Sequence, residues 1–155
     1  TNLYGPGDNY HPENSHVLPA MIRRFHEAAQ VNAESVTCWG TGLPMREFLH
    51  VDDLGDACVF ALQRWQPKCE DPSFMNVGTG VEISIRALAE AIADVTGYCG
   101  NIYWDSTKPD GTPKKKLDVR RFSNLGWRAR IPLDEGLAHT VALFRKQLNE
   151  NLVRL

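Results

Sequence analysis

Two hydrophobic periods alternate along this chain, and that alternation limits its fold more than any other feature. Four stretches carry apolar residues at helical spacing: Val17, Leu18, Met21, Ile22, Phe25, Ala28 and Ala29; Leu54, Ala57, Cys58, Ala61, Leu62 and Trp65; Ile85, Leu88, Ala89, Ile92 and Thr96; and Leu133, Leu137, Val141, Phe144 and Leu148. Between them, residues 36–39, 47–51, 74–77 and 102–104 read as short extended segments. Strands interleaved with helices predict an α/β architecture. Because the strands are few and short, the expectation is a small mixed lobe and not a full doubly wound sheet.

The helix ends carry their own signals. Pro19 is tolerable only in a first turn, so the first helix starts near Ser15 or His16, which puts His16 at a helix N-terminus. Asp52 or Asp53 is expected to cap the second helix and Ser84 the third, with Gly97 as its stop. Asp134 and Glu135 suit the N-terminal dipole of the last. Residues 5–15 and 105–116 have the Gly, Pro, Asn and Asp content of irregular loops, and Gly40-Thr41-Gly42-Leu43-Pro44 reads as a turn. Pro67, Lys68, Glu70, Asp71 and Pro72 read as a polar connection to the segment at 74–77.

At 155 residues, 43% hydrophobic and 23% charged, the chain suffices for one domain with a real core. A net charge of -2 with both signs interspersed gives no reason to expect nucleic acid or membrane as a partner. No apolar run approaches the roughly 20 residues that span a bilayer, and the first residues lack the order of a signal peptide, which predicts a cytoplasmic protein. Cys38, Cys58, Cys69 and Cys99 form no C-x-x-C pair, so reduced packing thiols are expected and no metal site. There is no glycine-rich pyrophosphate fingerprint; Gly78-Thr79-Gly80 lacks the third glycine. A chain starting Thr1-Asn2-Leu3-Tyr4-Gly5-Pro6 reads as the tail of a strand entering a turn, and the expectation is a piece of a longer protein.

Several side chains offer chemistry. Epimerisation beside a ketone needs an acid and a base that titrate near the working pH, and histidine meets this most readily; His16 is either such a group or a plain helix cap. Arg24, beside the apolar stripe, either reaches a cleft or is solvated, and Arg23 takes the solvated place. Trp39 and Arg46 flank the Gly/Pro turn, an arrangement suited to an aromatic plate and a forked cation on a diphosphate. The alternative is a packed Trp39 and an Arg46 paired with Glu47 or Asp52. His50, Asp52 and Asp53 are explained by alternation and capping, and Lys114, Lys115 and Lys116 by a solvated charge run.

Asn2-x-Tyr4-Gly5-Pro6 and Arg46-Glu47-Phe48-x-His50-Val51-Asp52-Asp53 resemble motifs of the extended short-chain dehydrogenase/reductase family, which acts on nucleotide sugars. Asp8-Asn9 and Asn14-Ser15-His16-Val17-Leu18-Pro19 resemble more narrowly its GDP-L-fucose synthase branch, and the likeness runs from the first residue through Gly126-Trp127. The resemblance implies that residues 1–155 are the C-terminal substrate-binding domain, with residues 1–6 the tail of a Rossmann domain. It implies an NADP-dependent enzyme that epimerises a GDP-linked 4-keto-6-deoxyhexose at C3 and C5 and reduces it at C4, assembled as a homodimer.

By the same resemblance His16 is the epimerisation acid/base and also meets the cofactor. Thr1, Asn2 and Leu3 lie beside NADP, and Arg24, Trp39, Arg46 and Asp110 bind the GDP-sugar. The family's Rossmann turn, its Tyr-x-x-x-Lys set and its epimerisation cysteine have no counterpart in these residues, so most of the NADP site is expected upstream and the chain alone is expected to be inactive. Lys114 departs from an arginine and Gly7 from a histidine of the family pattern.

Overall fold

The computed structural model describes residues 1–70 and 72–154; Asp71, part of the expected polar connection, and Leu155 lie outside the described residues. In chain order the elements are β1 (Asn2–Tyr4), α1 (Val17–Gln30), β2 (Ser35–Trp39), β3 (Met45–Arg46), β4 (Phe48–His50), α2 (Val51–Arg64), β5 (Ile83–Ser84), α3 (Ile85–Thr96), β6 (Asn101–Asp105), β7 (Lys114–Lys115), α4 (Arg120–Asn124) and α5 (Leu133–Asn149). The strands form three small sheets: β1 parallel to β4, β2 parallel to β6, and β3 between antiparallel β5 and parallel β7. This is the small mixed α/β lobe that the short strands predict.

The main core lies between α1, α3, α5 and the β2–β6 pair. Leu18, Ile22 and Phe25 of α1 meet Leu88, Ala89 and Ile92 of α3, and Leu137, Val141 and Phe144 of α5 close the layer from the other side. Val36 and Cys38 of β2 point into this core while Ser35, Thr37 and Trp39 point out, the alternation a half-buried strand requires. Ser84 caps α3 by accepting from the Ala87 N–H at 3.1 Å, and Gly97 ends it at φ +73°, a dihedral that favours glycine. A second cluster, Leu49, Ala57, Phe122 and Trp127, lies under α2 and α4.

Several expectations are corrected. The segment 74–77 is not a strand: Phe74 is 67% exposed, with no backbone partner among the described residues to form a ladder. The α2 cap is His50, whose Nδ1 accepts from the Asp52 N–H at 3.3 Å, while Asp52 and Asp53 sit in the first turn. Capping goes to His50 because Asp53 is turned inward, where its carboxylate accepts from the Arg130 and Ile131 N–H groups at 3.1 and 2.9 Å. In α2 only Ala57 of the expected stripe is fully buried; Cys58 is exposed and Leu62 is 88% exposed, since one layer covers only one edge of the helix. Helix α4 and strand β7 carry too few residues for a period to show, and the extended run at 47–51 ends at His50, where α2 begins. No helix among the described residues is long and apolar enough to cross a membrane.

Glu47 joins the three sheets. Its side chain is fully buried, with Oε1 accepting from the Gly80 N–H at 2.8 Å and Oε2 from the Leu117 N–H at 3.2 Å, while its carbonyl accepts from the backbone and side chain of Asn2 and from the Thr1 hydroxyl. A Cβ at Gly78 would overlap the Glu47 carboxylate, so glycine is required there. Replacing Glu47 with alanine leaves two buried N–H groups unpaired, each costing about 1–3 kcal/mol. The expected loss for Glu47→Ala is therefore at least about 3 kcal/mol, read from urea unfolding, and Glu47→Gln, which keeps the shape and one acceptor, loses less.

Candidate functional site

The site residues fall into two groups joined by α1. The first surrounds the turn after β2. Trp39, the last residue of β2, is 67% exposed, and the Lys108 ammonium lies 5.5 Å from its ring centre. The turn itself is clasped by Asp110, whose carboxylate accepts from the Thr41 N–H at 2.9 Å and the Thr41 hydroxyl at 2.6 Å. Gly40 has φ +77°, and a Cβ there would collide with the Asp110 carboxylate, so the clasp and the glycine require each other. Gly42, at φ +74°, lies flat against the Trp104 ring for the same reason.

Arg46, on β3, faces the same loop. Its Nη1 donates to the carbonyls of Met45 at 2.8 Å and Thr112 at 2.6 Å, and Gly111 leaves room for Nη2. No carboxylate pairs with it among the described residues, so the expected alternative of a salt bridge to Glu47 or Asp52 does not form. Arg24 reaches from α1 to the Thr37 carbonyl on β2 at 3.0 Å and lies beside the buried Cys38 thiol. Burial pushes that thiol up, and the Arg24 charge offsets part of the rise. Arg24, Trp39, Arg46 and Asp110 thus line one rim, built from the end of β2, its turn and the 106–113 loop.

The second group lies at the start of α1. Residues 3–8 and Val51 enclose a cleft of about 170 Å³. Thr1 and Asn2 are tied to the Glu47 carbonyl, and Leu3 stays exposed at the cleft edge. His16 is the α1 N-cap residue but its side chain makes no capping bond, which leaves the imidazole free. Eight residues of α1 separate His16 from Arg24, about 12 Å along the axis. One rigid helix therefore fixes the distance between the two groups.

Some partners gave no sequence signal. Arg23, expected to be solvated, pairs with Glu27 at 2.7 Å and braces the loop by donating to the Tyr10 carbonyl at 3.0 Å. Arg86 lies over the Trp104 ring at 4.8 Å and donates to the Thr41 carbonyl at 2.8 Å. At the second position of an amphipathic helix it reads as an ordinary solvated arginine. Lys114 is engaged by Glu82 at 3.0 Å, with Lys116 nearby at 3.8 Å, so this part of the charge run is paired. No group of three or more metal-ligating side chains is found among the described residues.

Residues 1–78 match the model of the NAD dependent epimerase/dehydratase family. The chain belongs to that family. GDP-L-fucose synthase 1 of Arabidopsis thaliana is 53% identical over 96% of this chain and 45% of its own length, and the GDP-L-fucose synthase of Escherichia coli (strain K12) is 53% identical over 93% and 46%. Among solved structures, a GDP-L-fucose synthetase from Naegleria fowleri bound to NADP superposes with a TM-score of 0.83 at 29% identity, over 96% of this chain and 46% of that one. The chain spans a little under half the length of these relatives.

Within this epimerase-family chain the family match covers the His16 end, Arg24, Trp39 and Arg46, whereas Asp110 lies outside it and enters the rim only through tertiary contact. The Thr41 hydroxyl, and after it the Thr41 N–H, holds the Asp110 carboxyl below its ordinary 3.8. Because the folded-state value is depressed, the clasp contributes fully above 3.8 and is lost as pH falls through the lower folded value. Hydrogen exchange at the Thr41 N–H is expected to stay slow down to pH 4 and to accelerate below it, with no such step in Asp110→Asn.

Proposed function

We propose that this chain is the GDP-sugar-binding part of a GDP-L-fucose synthase, which converts GDP-4-keto-6-deoxy-D-mannose to GDP-L-fucose by 3,5-epimerisation and NADPH-dependent 4-reduction. One observation carries the reading: α1 holds a free histidine at one end and an arginine at the aromatic and basic rim, so that a nucleotide sugar spans both. The relatives that share more than half their residues with this chain bear that enzyme's name.

The rim supplies recognition. Arg24 and Arg46 present forked donors to the diphosphate, the Trp39 face and the Lys108 charge flank it, and Asp110 accepts from substrate hydroxyls once the Thr41 hydroxyl yields. At the other end His16 exchanges a proton with the sugar carbons that flank the C4 ketone. Those carbons are acidified by the ketone, and an imidazole serves either direction at neutral pH. The helix N-terminus favours the neutral form that accepts a proton.

NADP, when bound, supplies the hydride for the C4 reduction. The cleft beside Thr1, Asn2 and Leu3 measures about 170 Å³, well below the several hundred Å³ that enclose a drug-sized ligand, so these residues fit only an edge of the dinucleotide. His16 stands at the same end and would face that edge. The rest of the cofactor site belongs to other residues of the intact enzyme, a homodimer on this reading, and these 155 residues alone are inactive.

Two measurements test the proposal. Titrating GDP into the chain while following Trp39 fluorescence is expected to give saturable binding, weakened about tenfold or more in Arg46→Ala, as loss of a charge-assisted diphosphate contact demands. In the intact protein, His16→Gln is expected to stop deuterium incorporation at C3 and C5. Substantial NADPH oxidation by the 155-residue chain with GDP-4-keto-6-deoxymannose would overturn the division of labour.

A further inference from the structure

The loop between β1 and α1 is held together by its own side chains. Asn9 Oδ1 accepts from the His11 N–H at 3.0 Å, and Asn9 Nδ2 donates to the Asn14 carbonyl at 3.2 Å. His11 Nδ1 accepts from the N–H groups of Glu13 and Asn14, and the Ser15 hydroxyl donates to the His11 carbonyl at 2.6 Å. From outside, Arg23 holds the Tyr10 carbonyl and the Arg154 carbonyl accepts from the Tyr10 N–H at 3.0 Å. This bracing folds the two ends of the loop toward each other, bringing Asp8 near His16.

The Asp8 carboxylate is half satisfied. Oδ1 accepts from the Asn9 N–H at 2.8 Å, whereas Oδ2 is buried, without a hydrogen-bond partner, in the wall of the 170 Å³ cleft. An unpaired buried carboxylate oxygen is costly, and a neighbouring positive charge is what offsets it. The charged or titratable groups that meet Asp8 are His16 from α1, Arg154 from the C-terminal tail and Tyr10 of its own loop. Neither cation makes a direct ion pair with it among the described residues, so the Oδ2 position is open to a proton-bearing partner.

The geometry points to Asp8 as a positioning residue for His16: its carboxylate favours the protonated imidazole and holds it toward the cleft, so that His16 can act as the acid in epimerisation. This rests on the acid/base reading of His16 given above. In the step it serves, the proton leaves the imidazolium for the substrate carbon, the carbanion electron pair becomes the new C–H bond, and the imidazole returns to neutral. Asp8 keeps its charge throughout and touches no reacting atom. It also resolves a conflict, since the α1 N-terminus disfavours the imidazolium that an acid must present, and Asp8 is the nearby group of opposite sign. Burial, opposed by the Asn9 N–H, His16 and Arg154, lifts the Asp8 carboxyl above its ordinary range, as a carboxylate short of partners requires.

The test is deuterium incorporation into GDP-4-keto-6-deoxymannose in the intact protein, followed across pH by mass spectrometry, in Asp8→Asn, Asp8→Glu, His16→Gln and the Asp8→Asn/His16→Gln pair. Asp8→Asn retains the acceptor for the Asn9 N–H. It is expected to slow incorporation roughly tenfold at neutral pH and to shift the limb that reports loss of the acid's proton to lower pH, with the KM for the sugar little changed. Asp8→Glu is expected to restore most of the rate and the limb, and the pair to be no slower than His16→Gln alone. An unshifted profile in Asp8→Asn, or an equal further loss in the His16→Gln background, overturns the positioning role. If Asp8→Asn does not fold, an Asp8→Glu profile identical to the parent's supports the role, and rate loss without a shift overturns it. Incorporation that survives His16→Gln sinks the acid/base reading itself, a separate outcome.

Discussion

Everything in this chain depends on one buried carboxylate without a cation. Glu47 takes its hydrogen bonds from backbone N–H groups of the 78–80 turn and of Leu117, and its own carbonyl receives Thr1 and Asn2. Short strands cannot hold three separate two- and three-stranded sheets together by ladder bonds alone. A side chain that accepts from two loops at once does what longer strands would do. The neighbouring motif residues extend this: His50 caps α2 through Nδ1 and stacks edge-on against Tyr4, and Asp53 holds the segment that leads into α5.

Tyr4 shows how closely this junction is packed. Its hydroxyl lies against Gly136 of α5, where no side chain would fit, and burial, with smaller contributions from Asp53 and Asp134, pushes it up to about 12. It therefore stays a neutral packing group. The chemistry is left to the two ends of α1, and the helix earns that role because its apolar face is locked against α3 and α5. A nucleotide sugar needs its diphosphate and its reacting carbons held at a fixed separation, and a packed helix supplies a fixed separation where a loop would not.

Much of the fold was legible. The α1, α3 and α5 faces, the Ser84 cap, the Gly97 stop and the β2 alternation follow from side-chain period and from residues whose dihedral or hydrogen-bonding needs are local. Where the reading failed, burial had been inferred from residue type. Cys58 and Leu62 are apolar at helical spacing but face outward, because whether a stripe is covered depends on what packs on it. The segment at 74–77 has strand composition and no strand beside it to pair with among the described residues. The His50 cap was masked by two aspartates that follow it and look like better caps.

The sequence alone determined the family, the α/β class, the helix that carries His16 and Arg24, and the residue types suited to a diphosphate and to proton transfer, since each is encoded within a few neighbouring positions. Only the tertiary structure decided that Asp110 clasps Thr41 from a loop 69 residues away, that Arg86 stacks on Trp104, that Lys114 is taken by Glu82, and that Asp8 turns a bare oxygen toward the cleft near His16. Those facts depend on which distant groups remain unpaired after the backbone has been satisfied, and no local pattern records that.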